Sequence, residues 1–502
     1  MNRKLSLLFS VSEAAPFIKE GGLGDVAGAL PRALEARGHD VRVVLPRYYA
    51  IDPHRHGLKL LPGSLVVPMG IIGDLYCGVY EGRLPGSDVP VYFLEHEAFY
   101  GREGVYGSGN EGFRDNDNRF VFLSRATLEL CRMLEFTPDL IHAHDWHTAA
   151  VPLFMNTIYR HDQYVGKAAS ILSIHNMQHQ GNFYPGLMDV LGIGWEHFTF
   201  LGLEQENQTC LLKGGLYHAT KLSTVSQGYA REIQSPEFGW GLEGVLRERS
   251  GDLVGIFNGV DYDEWNPESD PFIPAPYSAE DLSGKAICKL ELQRRFGLPQ
   301  RADLPLFGII SRLVEQKGTD VLAAAIHQIL ALDVQLVLLG SGEPWAHFYF
   351  GDIAAQYPEK FGCHIGFSNP LAHLIEAGSD FFLMPSAFEP CGLNQLYSLR
   401  YGTVPVVRAV GGLNDSVENF NERTLGGTGF TFHSLTPAAL FDTIGWAAWT
   451  WHHNEAGMKA LISNGMAKRF TWESAAEKYE QLYYWAIEKK LGEGFRTRFP
   501  EE

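Results

Sequence analysis

At 502 residues the chain is too long for one compact core and fits two large domains or, at about 150 residues each, roughly three. With 45% hydrophobic and 20% charged residues it carries enough apolar surface to offset ordering entropy, which excludes global disorder. A formal net charge of −18 repels nucleic acid and anionic membrane, so any anionic substrate has to meet a few placed cations.

Six cysteines (Cys77, Cys131, Cys210, Cys288, Cys363 and Cys391) are scattered with no C-x-x-C spacing. Neither a disulfide framework nor a zinc site is suggested, and a reducing, cytoplasmic setting is the expectation. The opening Met1-Asn-Arg-Lys, LSLLFSV and SEAA has the outline of a short signal peptide. Its apolar run is at the short limit, however, and the residues beyond it read as the helix that a first buried strand feeds. No run approaches the roughly 18 apolar residues of a membrane span.

In chain order, LSLLFSV (5–11) is a continuous apolar run, Leu23, Val26, Ala27, Leu30, Ala33 and Leu34 repeat at helical spacing, and VRVVLP (41–46) is a second run. This predicts β-α-β, with a kink at Pro31. DLIHAHD (139–145), SILSIHN (170–176) and KLSTVS (221–226) read as short buried strands of a parallel sheet, each ending in polar residues. A second series starts near residue 254 with LVGIFNGV. PLFGIIS (305–311), a helix from Gly318 to Leu332, VQLVLLGSG (334–342), HIGF (364–367), DFFLMPS (380–386), a helix from Gly392 to Tyr401 and VPVVRAVGG (404–412) follow. NPESDPFIPAPY (266–277) reads as a surface loop, and Thr471 to Leu491 as an amphipathic helix with Tyr479, Leu482, Tyr483 and Ala486 on one side. The hinge is expected between Arg247 and Leu253. Two doubly wound α/β sheets in tandem bind ligands outside the carboxyl ends of their strands, so the polar strand ends are the candidate sites.

The first candidate is Lys19-Glu-Gly21-Gly22-Leu-Gly24-Asp25. Gly22 to Ala27 matches G-x-G-x-x-A, but roughly ten residues separate it from its strand and the second strand ends in Pro46-Arg47 rather than an acid. A dinucleotide site is therefore disfavoured, and a phosphate site at a helix start, with Lys19 as cation, is preferred to a plain turn. His142-Ala-His144-Asp145-Trp146-His147 invites a metal, yet no distant Cys or His cluster complements it. A sugar site is the better reading, with Asp145 accepting from hydroxyls and Trp146 offering an apolar face; His142 and His144 can equally be satisfied core residues. Ser173-Ile-His175-Asn176 closes another strand, which raises His175 above an ordinary buried histidine.

In the second half, Arg312 and Lys317 lie between a strand end and a helix start, where a diphosphate would be held. At about 4 Å and an effective dielectric near 20 each charge pair gives on the order of 4 kcal/mol before desolvation. Glu389 follows the strand DFFLMPS, beside the backbone N–H groups of Cys391, Gly392 and Leu393 at the expected start of a helix. Capping of that helix is the plain alternative for Glu389.

Taken together, K-x-G-G-L-x-D at 19–25, H-A-H-D-W-H at 142–147, H-N at 175–176, Q-G at 180–181, K-x-G-L-Y at 213–217, N-G-V-D at 258–261, S-R-L-x-x-Q-K-G at 311–318 and E-P-C-G-L-x-Q-L-Y at 389–397 resemble the bacterial glycogen synthase and plant starch synthase family. The resemblance implies a GT-B fold, with two Rossmann-like domains facing a deep cleft and a C-terminal helix crossing back to the first. The implied divisions are 1–250, 251–472 and 473–502. It implies a retaining hexosyltransferase moving glucose from ADP-glucose to the non-reducing 4-hydroxyl of an α-1,4-glucan such as glycogen, with no metal or other cofactor. By matching positions, Lys19, Gly21, Gly22, Arg312 and Lys317 contact the diphosphate, with Asp25 in the same loop motif and Asn258 close by. Glu389 and the backbone of Cys391 to Leu393 hold the donor glucose, assisted by Asp145 and Asn176, and His175 lies beside the anomeric carbon. Phe367 stands where a tyrosine often lies near the adenine, Asn394 where a threonine often occurs, and Tyr397 where the wider GT-B group often has a second glutamate. A UDP-glucose transferase, an NAD-dependent oxidoreductase and a non-catalytic glycan-binding protein are the competing readings.

Overall fold

In the computed structural model, which describes residues 3–108 and 111–492, the first apolar run is the buried strand β1 (Ser6–Ser10). Helix α1 (Gly22–Ala36) follows, and β2 (Asp40–Pro46) returns parallel to β1, with Leu7 beside Val41 and Phe9 beside Val43. The expected kink does not end α1, which runs through Pro31. Packing against β2 and the C-terminal helix outweighs the one backbone hydrogen bond that proline forfeits.

Between residues 59 and 95 the chain adds β3 (Lys59–Leu60), β4 (Leu65–Pro68), β5 (Asp74–Arg83) and β6 (Pro90–Glu95). Only β6 joins in parallel, beside β2; β5 runs antiparallel to β6 and pairs with both β3 and β4. Helix α2 (Asn116–Met133) leads to β7 (Leu140–His144) on the other side of β1. The four-residue helix α3 (Asp145–Thr148) follows at once, then β8 (Ala169–Ile174), β9 (Lys221–Thr224) and β10 (Leu253–Gly255). Among the described residues this makes one ten-stranded sheet, ordered β10-β9-β8-β7-β1-β2-β6-β5-β3 with β4 on β5.

The first unit takes in the chain up to Val225, Ala230–Gly259 and the segment from Trp472 onward. The apolar run near residue 254 is thus the last parallel strand of the first sheet, not the opening of a second series. Leu253 pairs with Leu222 and Val254 with Ser223, which moves the division from 250 to Gly259. Helix Trp472–Leu491 packs on α1 and β8 within this unit, where Arg37 Nε donates to Glu480 Oε2 at 2.7 Å. Residues 493–502 of the expected tail lie outside the described residues.

The second unit comprises Ser226–Tyr229 and Val260–Thr471. Its strands β11 (Leu306–Leu313), β12 (Gln335–Gly342), β13 (Phe361–Ile365), β14 (Phe381–Met384), β15 (Val404–Arg408) and β16 (Phe430–Phe432) form a parallel sheet ordered β13-β12-β11-β14-β15-β16. Helices α4 (Thr319–Ala331), α5 (Asn369–Gly378) and α6 (Asn394–Arg400) belong to it. Alternation along β12 sends Leu336 and Leu338 into one core, with Phe307 and Ile309, and Val337 and Leu339 into the other, with Leu306 and Phe382. β13 stops at Ile365, so Phe367 lies in a loop, and α6 starts at Asn394 rather than Gly392 because Gly392 takes a left-handed φ of 72°. The proline-rich stretch 266–277 is irregular as expected, but it is not only a surface loop. Its Asp270 is buried and accepts from Tyr401 Oη at 2.6 Å, with His373 Nδ1 2.8 Å away.

Candidate active site

The glycine loop at the start of α1 is held from below. Glu13 Oε2 accepts the N–H groups of Glu20 (2.5 Å) and Gly21 (3.0 Å), and Tyr106 Oη donates to Glu13 Oε1 at 3.1 Å. Burial raises the Glu13 carboxyl above its ordinary range. The Gly21 N–H, expected at a helix-start phosphate site, donates to this internal carboxylate. Gly22 opens α1 with no atom within 4 Å of where a Cβ would stand. Lys19 Nζ lies 2.7 Å from Asp25 Oδ1, so the loop cation is balanced within its own motif.

The ends of β7 and β8 carry the histidines. His142 and His144, two residues apart on β7, point the same way and stack at 4.1 Å between ring centroids. Both are fully buried, which makes them core residues. His142 Nδ1 meets Tyr483 Oη at 2.9 Å and its Nε2 meets Ser173 Oγ at 2.6 Å. At the head of α3, Asp145 has a φ of 51°, and its Oδ1 accepts the N–H of His175 at 2.7 Å and of Asn176 at 3.5 Å. Burial lifts its carboxyl to about 7 and pushes the His175 imidazole down to about 4. Asp145, which the sequence reading set to accept from sugar hydroxyls, thus holds backbone with Oδ1. Trp146, which the sequence reading offered to a sugar, is largely buried among Phe120, His147 and Phe183, and Gly181 approaches its ring closely. Asn258, on the segment after β10, is buried with Oδ1 unpartnered among the described residues.

In the second unit, β11 carries Arg312 one residue before its end at Leu313, and a single turn carries Lys317 to the start of α4. Gly318 makes that turn with φ 72°, and a Cβ there would stand 2.0 Å from the Pro385 carbonyl oxygen. The tight approach carries Lys317 Nζ to 2.6 Å from Oε2 of buried Glu389, which also accepts from Ser386 Oγ at 3.1 Å. The unit therefore brings together two of the predicted residues, 72 positions apart in the chain. Arg312 remains exposed, its Nη2 donating to Gln316 Oε1 at 3.2 Å. Gln395 Nε2 donates to the carbonyls of Cys391 (3.0 Å) and Gly392 (3.1 Å) and so fixes the loop before α6; Gly412 packs directly on Cys391. Leu393 stands as N-cap of α6. Asn394 turns its amide to the Ile310 carbonyl at 2.9 Å, and Phe367 is 88% exposed. Tyr397 stacks on Trp265 at 3.9 Å with nearly parallel rings, so its side chain is committed to packing.

Sequence reasoning passed over Glu13, Ser386 and Gln395 as holders of these loops. Gln395 was legible in the motif that contains Glu389. Glu13 and Ser386 carried no local signal, because each acts through contacts made only by folding.

The chain matches the family described as starch synthase catalytic domain over residues 6–248 and the glycosyl transferases group 1 family over 292–448. It is 69% identical to glycogen synthase 1 of Geobacter metallireducens, over 98% of each chain, and 68% identical to glycogen synthase 1 of Geobacter sulfurreducens, over 99% of each. Among solved structures it resembles the catalytic domain of starch synthase IV from Arabidopsis thaliana bound to ADP and acarbose. That likeness has a TM-score of 0.88 and 33% identity, covering 97% of this chain and 100% of that one. The motifs, the two Rossmann-like sheets and these likenesses agree: the chain belongs to the glycogen synthase and starch synthase family of GT-B glycosyltransferases.

Proposed function

We propose that the chain transfers glucose from ADP-glucose to the non-reducing 4-hydroxyl of an α-1,4-glucan, with retention of configuration, in the cytoplasm. The observation that carries the reading is the Lys317–Glu389 pair at the strand ends of the second unit, with Arg312 near the end of the strand that leads into the Lys317 turn. ADP in the Arabidopsis starch synthase complex supports an ADP-linked donor.

Breaking the glucose C1–O bond puts negative charge on the β-phosphate and oxocarbenium character on the sugar. Arg312 and Lys317 stabilise that charge more in the transition state than in the ground state, because it develops as the bond breaks. Lys19, Gly22 and Asn258 add to the hold on the nucleotide, and Phe367 offers a ring to the adenine. Glu389 and the Cys391–Leu393 backbone orient the glucose, while Asp145 fixes His175 and Asn176 for the same task. The acceptor oxygen attacks C1 on the face from which ADP departs, and its proton passes to the leaving β-phosphate oxygen. No covalent nucleophile and no divalent cation enter this scheme.

Radiolabel from ADP-glucose is expected in glycogen with chelator present. Failure of incorporation from ADP-glucose, or preference for UDP-glucose in a direct competition, would overturn the donor assignment. Loss of activity on chelation would overturn the metal-free scheme.

A further inference from the structure

We infer that His144 is a positioning residue that fixes the proton of His175 on Nδ1, so that His175 meets substrate as a neutral hydrogen-bond donor. The inference deepens the proposed function, since it rests on the assignment of His175 to the sugar site.

The argument starts from the two ring nitrogens of His144. Its Nδ1 lies 3.0 Å from Nε2 of His175, while its own Nε2 is buried with no hydrogen-bond partner among the described residues. One proton occupies the contact between the rings, and two neutral arrangements are available. If His175 Nε2–H donates, His144 has to carry its proton on Nε2, leaving a buried donor without an acceptor. If His144 Nδ1–H donates, Nε2 of His144 is only a bare lone pair. A buried orphan N–H is the rarer and costlier state, so the second arrangement is selected. His175 Nε2 then accepts, and its single proton sits on Nδ1.

Nothing around His144 lets the ring turn to undo this choice. His142 stacks on it at 4.1 Å, itself tied at both nitrogens to Tyr483 and Ser173, and Phe9 lies across it at 5.8 Å. The backbone is fixed as well, because Thr148 Oγ1 accepts the His144 N–H at 2.6 Å. The next residue, Asp145, takes the backbone N–H of His175. Consecutive residues at the end of β7 therefore hold ring and main chain of the residue that follows β8. His144 stands opposite Ser173 in the β7–β8 register, two positions before His175. Partial exposure of His175, against full burial of His144, makes it the ring of the two that a ligand can reach. A ring protonated at Nδ1 and bonded at Nε2 has no basic nitrogen left to offer, so His175 acts there as a donor to oxygen and not as a general base.

The decisive measurement is nitrogen-15 NMR of histidine-labelled full-length protein at neutral pH, with the His175→Gln variant assigning the signal. The expected result is His175 protonated at Nδ1 and bare at Nε2; the opposite tautomer would overturn the inference whether or not the enzyme uses ADP-glucose. Activity gives a second reading. His144→Phe keeps an aromatic ring in the stack but no donor, and is expected to lower kcat by roughly 10²-fold with little change in donor KM. His144→Asn places an amide N–H near the Nδ1 position and is expected to recover most of that loss. Equal activity of the two variants would also overturn it. Absence of ADP-glucose turnover in the unmodified enzyme would instead count against the proposed function and leave the tautomer measurement standing.

Discussion

Lys317 Nζ and Glu389 Oε2 are 2.6 Å apart, the lysine one-fifth exposed and the carboxylate nearly buried. Each is assigned to the donor, and substituting either one leaves the other without its ion-pair partner. Lys317→Ala is expected to lower kcat/KM for ADP-glucose by roughly 10²-fold or more, and Glu389→Ala to reduce kcat more than donor affinity. Because removing the lysine leaves a buried carboxylate without its cation and with the Ser386 hydroxyl as its donor among the described residues, the single Lys317→Ala variant is expected to melt below the Lys317→Ala/Glu389→Ala double variant. Near-normal turnover of Lys317→Ala would remove the phosphate clamp, and additive losses in both assays would remove the coupling.

Gly318 is what allows that pair to form. Its φ of 72° and the 2.0 Å approach of a Cβ to the Pro385 carbonyl mean that Gly318→Ala combines left-handed strain with a backbone clash. A loss of about 2 kcal/mol or more in urea denaturation is expected, together with reduced kcat as the turn carrying Lys317 shifts. A variant with unchanged denaturation midpoint would contradict the account of this turn.

These relationships show what the sequence could and could not disclose. The buried parallel strands were legible because apolar runs such as SILSI and QLVLL leave little choice of environment, and their polar ends marked where His175 and Arg312 would stand. Strand β5 was not, since buried Cys77 and Val79 stand among half-buried and exposed neighbours and leave no continuous apolar run. Strand β10 was recognised as apolar but given to the wrong sheet, because three residues do not say which neighbour completes their hydrogen bonds. The site followed the same division. Motif residues came from local chemistry, whereas the uses made of Asp145, Trp146 and Gly21 depend on partners 30 or more positions away or on a carboxylate that no motif contains. Asp270 illustrates the limit most plainly: it lies in a stretch with the composition of a loop and is anchored by His373 and Tyr401, more than 100 residues on.

Glu13 is the residue whose substitution tests the glycine loop. Its carboxylate ties down Glu20 and Gly21 and receives the Tyr106 hydroxyl, so it sets the position of Lys19 and Gly22 without being assigned to the substrate. Glu13→Ala is expected to cost roughly 10²-fold in kcat/KM through misplacement of the loop. Glu13→Gln keeps one acceptor oxygen for the backbone and is expected to lose much less. Equal kinetics for the two variants would mean that the loop keeps its shape without this anchor.

The buried histidines set the acid limit of the fold. Burial holds His142, His144 and His147 well below their ordinary value and His175 at about 4, so the folded chain keeps them neutral while the unfolded chain protonates them below about 6.5. The unfolded state then binds more protons, and stability is lost as pH falls from about 6.5 toward 4. Asp145 works in the opposite sense. With its folded carboxyl at about 7 against about 3.9 unfolded, the fold retains a proton that the unfolded chain releases, and stability is lost as pH rises across that window. Burial also raises Glu13, Asp117 and Glu376, but seven histidines (His39, His96, His142, His144, His147, His175 and His218) are held low, so the urea midpoint is expected to fall between pH 7 and pH 5. Asp145→Asn keeps an acceptor for the His175 N–H, tolerates the left-handed backbone and carries no charge. Relative to the unmodified protein it is expected to gain stability at pH 8, on the order of 1–4 kcal/mol by linkage, and to show that gain vanishing near pH 4. A midpoint that rises on acidification would contradict the histidine account, and an Asp145→Asn offset equal at both pH values would show that the buried carboxyl does not titrate with the fold.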